Sequence, residues 1–102
     1  MQQVQIAGIS WYKRENFDRL RAMFKDGHKL HDTYDEWLAA AESGRKELEK
    51  RGVRVICVDV DPNEFPAWCA SQGLELNAAA RNRFASERAY QFVMGEMGEN
   101  VP

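Results

Sequence analysis

Four groups of side chains in this 102-residue chain are of types that do chemistry. The first is Asp59 and Asp61, at the end of the longest β-branched run, Val53-Arg54-Val55-Ile56-Cys57-Val58-Asp59-Val60. Two carboxylates at a strand end suit a divalent cation or an acid–base pair. α/β proteins usually place ligands at the carboxyl ends of parallel strands. If the first strand pairs in parallel with this run, Ser10, Trp11 and Tyr12 lie beside the two carboxylates. Asp61 is also fully explained as a helix cap, because Pro62 and Glu64 follow it in a capping-box arrangement. Asp59 needs only water or a neighbouring Arg, and no third oxygen ligand is identifiable.

His28 and His31, flanked by Asp26 and Asp32, form the second group. Imidazoles with carboxylates nearby suit zinc or another transition metal. Gly27 and Asp32 argue for a turn here, and neither Cys is close enough in sequence to complete a tetrahedral site. The reading as a solvated loop outweighs the metal reading. The third group is Cys57 and Cys69, on a strand and on the core face of the next helix. They are expected to approach each other as small buried apolar residues, with no Cys-x-x-Cys motif and nothing basic nearby to activate a thiol. The fourth is Arg81, Arg83 and Arg88, on the last helix. Arg81 and Arg88 share a face between Phe84 and Phe92, and Arg with aromatics is a common composition for a protein-binding patch. Pairing with acidic residues of a neighbouring helix competes with that reading.

The elements that must position these groups follow from periodicity. Val4 to Trp11 reads as a strand, with Gly8 marking a bulge or a close approach of another backbone. A helix is expected from about Glu15 to Lys25, with Phe17, Leu20 and Phe24 at helical spacing and Gly27 as a stop. Asp32 is the N-cap candidate for a second helix running to about Arg51, with Tyr34, Trp37, Leu38, Ala41 and Leu48 as its apolar stripe. The Val53–Val60 run is apolar on both faces, which predicts a central strand covered on both sides. Asp61 then caps a third helix that Gly73 closes. Leu74 to Leu76 is a linker or a short edge strand, and Asn77 caps a last helix from about Ala78 to Met94.

The order is β-α-α-β-α-(β)-α. The reading is an α/β fold: a small two- to three-stranded sheet flanked by about four helices. Residues 1–94 form one domain, with 95–102 a frayed tail. A strand edge left open by so short a sheet could be closed by dimerisation. The helix–Gly73–helix segment also admits a helix-turn-helix reading, with the Arg-bearing helix as the reader. A formal charge of −2, from fourteen basic and sixteen acidic residues, weighs against nucleic acid as a partner. No apolar run approaches the roughly 20 residues of a membrane span, and the N-terminus has no signal-peptide pattern. Two cysteines in a domain of this size point to a reducing, cytoplasmic setting. The chain has no Gly-rich phosphate loop and no hydrolase, zinc-protease or kinase signature. That leans against an enzyme, and no cofactor is implied.

The stretch Asp61-Pro62-Asn63-Glu64-Phe65-Pro66-Ala67-Trp68-Cys69-Ala70, then Gly73-Leu74 and Ala80-Arg81-Asn82-Arg83-Phe84-Ala85, resembles a group of small uncharacterised bacterial proteins. The likeness extends upstream through Asp32-Thr33-Tyr34-Asp35-Glu36-Trp37-Leu38. It implies a bacterial cytosolic origin and carries no activity, cofactor or site residue. The sequence therefore favours a non-enzymatic module that binds another protein or its own copy, with Trp11, Tyr12, Arg81 and Arg88 as anchors. The alternative is a ligand-binding, metal-binding or enzymatic domain built on Asp59 and Asp61 with Ser10.

Overall fold

The computed structural model describes residues 5–99. Two strands, β1 (Gln5–Trp11) and β2 (Val53–Asp59), pair in parallel, with Gln5 opposite Val53, Gly8 opposite Ile56 and Trp11 opposite Asp59. The crossover between them is made by two helices, α1 (Arg14–Met23) and α2 (Tyr34–Lys50), with a short 3-10 turn at Gly27–Lys29. Two more helices follow β2: α3 (Glu64–Gln72) and α4 (Ala78–Glu99). The fold is α/β, with a two-stranded parallel sheet and four helices.

Side chains alternate across the sheet, so the register sorts them onto two faces. Ile6, Gly8 and Ser10 share one face with Arg54, Ile56 and Val58; Ala7, Ile9 and Trp11 share the other with Val53, Val55 and Cys57. α4 covers the first face. There Ser10 Oγ donates to the Arg81 carbonyl at 3.2 Å, and Arg54 meets Glu96 through two bonds of 3.0 and 2.7 Å. α2 lies against the second face, where the Trp11 and Trp37 rings meet edge-on at 5.2 Å. Cover on both sides is what the doubly apolar β2 run requires. β2 is not central, however. Leu74–Leu76 contributes no strand; its Leu76 carbonyl accepts from Lys25 N at 2.8 Å, and among the described residues β2 has β1 as its sole neighbour in the sheet.

Gly8 is where β1 meets α4 most closely. A Cβ built there would come within 2.7 Å of the Ala89 Cβ and closer still to the Ala85 carbonyl oxygen. A close backbone approach is thus the reason for a glycine mid-strand, and Ala85 and Ala89 keep the helix side of that contact small.

The helix ends show how local chemistry sets boundaries. α2 is capped by Thr33, not Asp32: Thr33 Oγ1 accepts from the Glu36 backbone N–H at 3.2 Å and donates to the Glu36 carboxylate at 2.8 Å. Only Thr33 stands three residues before Glu36, the spacing a capping box needs. Asp32 instead takes Arg21 at 2.9 Å. Asp61 caps α3 as expected, its Oδ2 accepting from the N–H groups of Asn63 (2.9 Å) and Glu64 (2.8 Å). The Phe65 N–H bonds the Asp61 carbonyl at 2.9 Å, so the turn through Pro62 and Asn63 leads directly into the helix, with Pro62 next to the cap. Glu64 turns outward to Arg88 at 3.4 Å rather than closing a box. Gly73, with φ of +67°, ends α3 in the left-handed conformation that glycine adopts without strain. Asn77 caps α4 by accepting from Ala80 N–H at 2.9 Å. α4 continues helically past Met94 to Glu99.

The core is largely aromatic. Phe24 meets Phe65 at 5.9 Å, and Phe84 receives Phe65 at 5.3 Å and Trp68 at 5.2 Å, all edge-on. Phe17, Leu20, Val58, Val60 and Cys69 belong to the same cluster, with Tyr12, Trp37 and the alanines Ala80, Ala85 and Ala89. The radius of gyration, 14.8 Å, exceeds the roughly 13 Å of a compact domain of this length. A helix of 22 residues spans about 33 Å, longer than a seven-residue strand of about 23 Å, so α4 overhangs the sheet.

Candidate functional site

Parallel pairing sets Trp11 opposite Asp59, as the strand-end reading requires, but the groups there are engaged locally. The Ser10 hydroxyl is turned to the Arg81 carbonyl. Asp59 is half exposed, with Lys13 Nζ at 3.8 Å. The two backbone N–H groups on Asp61 hold its carboxyl below the usual carboxylate range. Those bonds are what a cap makes, and they favour the charged form. His28 and His31 are both exposed, on the 3-10 turn and just beyond it. Their flanking carboxylates are taken, Asp26 by Arg81 and Asp32 by Arg21. Among the described residues, no group of three or more His, Cys, Asp or Glu side chains could hold a metal ion.

Cys57 and Cys69 do not share the buried setting expected of both. Cys57 is exposed on the α2 face of the sheet, near Arg45, Glu49 and Glu42, whereas Cys69 is buried in α3 among the α4-side aromatics. Both thiols are free, and burial pushes both upward in pKa. At Cys57 the nearby Arg45 is outweighed.

Two of the anchors expected from sequence lie in the core. Tyr12 is 3% exposed and Arg81 is 7% exposed, so neither faces a partner. Arg81 makes two bonds of 2.7 Å to the Asp26 carboxylate, and its guanidinium lies 4.4 Å over the Phe24 ring. Asp26 is held below its ordinary value by the Arg81 hydrogen bonds. Burial lowers the Arg81 pKa, but the Asp26 bonds and the nearby Tyr12 and Asp26 charges outweigh it and leave the group raised. Burial raises Tyr12, which also faces Arg81. This node ties the loop after α1 to the first turns of α4 and to the end of β1. Trp11 is half-buried against Trp37. Arg88 lies 4.9 Å over Phe84 and pairs with Glu64 of α3, the neighbouring-helix pairing that competed with the patch reading. Arg83 is held by Glu87 at 3.6 Å and by Gln72 at 3.3 Å. The cations a helix-turn-helix reader would offer to phosphates are therefore engaged within the chain.

An open groove lies elsewhere, along the edge of β1 away from β2. It measures about 590 Å³ and is floored by Ile6, Ala7 and Gly8 and walled by Ser86, Ala89, Tyr90, Val93 and Met94 of α4. Ser86, Tyr90 and Met94 recur every fourth residue and share one side of the helix. Tyr90 is 66% exposed, Met94 45% and Ile6 44%. Among the described residues β1 pairs on one side only, so its outward N–H and C=O groups face this groove. Its sequence, QIAGISW, contains no charge and no proline, the usual means of blunting an edge strand. β2, by contrast, carries Arg54 and Asp59. Sequence reasoning passed over this site because Tyr90 and Met94 look like surface residues off the core arc. An open strand edge was expected from the low strand count; the missed signal was that β1 is the uncharged strand.

Residues 6–95 match the family described as Domain of unknown function (DUF8829). The chain belongs to that family. The DUF8829 span runs from the first residues of β1 well into α4, so both walls of the groove fall within it. No curated protein and no solved structure matches the chain.

Proposed function

We propose that this DUF8829 protein is a non-enzymatic interaction module that docks a protein segment along the free edge of β1. The observation that carries the reading is an uncharged strand with one neighbour among the described residues, set beside a groove lined by exposed Ile6, Tyr90 and Met94. Addition of a strand to such an edge gives main-chain hydrogen bonds, and side-chain contacts along the groove give selectivity. Among the described residues no helix is long and apolar enough to cross a membrane. Two free thiols, Cys57 and Cys69, suit a reducing compartment such as the cytoplasm.

The test uses a tagged full-length chain, co-expressed with an untagged copy and recovered from nuclease-treated extract, beside the variants Ile6→Lys and Tyr90→Arg. Both positions are exposed, so both variants should keep the wild-type melting temperature. The reading expects a protein, whether another species or the untagged copy, to be retained by wild type and lost from both variants. Identical retention by all three, or no retention by any, ends it.

A further inference from the structure

We infer that the occupant of the β1 edge is a second copy of this chain, its β1 running antiparallel to the first in a four-stranded sheet of order β2-β1-β1-β2. This rests on the docking reading above and names its partner.

Identical strands meeting edge to edge about a two-fold axis must run antiparallel, and antiparallel pairing is slightly the stronger kind. An axis perpendicular to the sheet keeps the two α4 helices on one face and the two α2 helices on the other. α4 spans both of its own strands: Ala85 and Ala89 sit over Gly8 of β1, and Glu96 is tied to Arg54 of β2. Two such helices would then lie about two strand spacings apart, roughly 9.6 Å at about 4.8 Å each. Packed helix axes prefer about 8–10 Å, so closing the strand gap also brings the helices into contact. The sides that meet carry Ser86, Tyr90 and Val93, which line the groove in one copy, while Ala89 stays against Gly8 of its own chain. The small Ser86 permits close approach, and Tyr90 is covered.

Charge and size agree with this occupant. β1 contains no ionisable side chain, so two copies bring no like charges opposite one another, an arrangement that would destabilise a pair. The antiparallel helices also set each macrodipole end beside its opposite. α4, about 33 Å by 10 Å, and β1, about 23 Å by 10 Å, present roughly 550 Å² in projection. That is the same order as the roughly 800 Å² of accessible surface per partner in a standard interface.

Sedimentation velocity of the full chain should give twice the 11.8 kDa chain mass, and Tyr90→Arg and Ile6→Lys should give single-chain mass with unchanged circular dichroism. A sample mixing isotope-labelled and unlabelled chains should show intermolecular contacts between β1 and β1 in antiparallel order. A monomer at concentrations up to about 100 μM overturns the inference. So does a dimer that survives both substitutions, or one whose contacts lie away from β1. If the monomer still retains another protein that both variants lose, the docking reading stands and only the choice of partner fails. A monomer that retains nothing ends both.

Discussion

Replacing Asp26 by Asn removes the carboxylate that holds Arg81 and leaves a guanidinium that is 8% exposed without its counter-charge. Breaking a buried ion pair from one side typically costs about 3–5 kcal/mol. Asp26 is itself 20% exposed, so water can partly replace it, and about 2–3 kcal/mol is the better expectation. An unfolding entropy of about 2.1 cal/mol/K per residue gives roughly 0.2 kcal/mol/K for this chain, hence a fall in melting temperature of roughly 10–14 °C. The assay is urea and thermal denaturation of Asp26→Asn, Arg81→Met and the double variant. Removing both charges should cost less than the sum of the single losses, because the double variant strands neither group. The same pair sets a pH dependence. Asp26 is held below its ordinary value in the folded state, so its stabilisation is present above the unfolded carboxyl pKa of about 3.9 and fades as pH falls through the lower folded value. Asp26→Asn should flatten that acid limb. A loss under about 0.5 kcal/mol, with an unchanged acid limb, would refute the assignment of Arg81–Asp26 as the clamp between the α1 loop and α4.

Other outcomes follow from the packing. Gly8→Ala inserts a Cβ against the Ala85 carbonyl and the Ala89 Cβ. It should destabilise by about 1–3 kcal/mol as overpacking, and a neutral or stabilising result in the melting curve would contradict the close β1–α4 approach. In the native protein a thiol-alkylating reagent should modify exposed Cys57 slowly, its thiol being raised, and should reach Cys69 only after unfolding; mass spectrometry of peptides distinguishes the two. Tyr12 should ionise above its usual value in an alkaline absorbance titration, because burial favours the neutral phenol. Its contribution to stability then declines as pH rises through the unfolded phenol pKa of about 10.

What the sequence by itself determined was the part written in local physics. The strands, the order of the helices, the Asp61 and Asn77 caps and the stop at Gly73 all follow from residues a few positions apart, where spacing alone selects the partner. Belonging to a family of undefined role was legible in the same way, from contiguous stretches such as Asp61 to Ala70. Tertiary structure decided everything that depends on which distant surfaces meet. Arg81 and Asp26 lie 55 positions apart, so no helical wheel could turn Arg81 from a surface anchor into a core clamp. Tyr12 moved inward for the same reason, and Cys57 and Cys69 differ because Cys57 faces the α2 side of the sheet and is exposed, whereas Cys69 of α3 is buried among the core aromatics. The candidate site was the least legible element. An edge strand is defined by the neighbour it lacks, and only the assembled sheet shows that Ile6, Tyr90 and Met94 border the same unpaired side of β1.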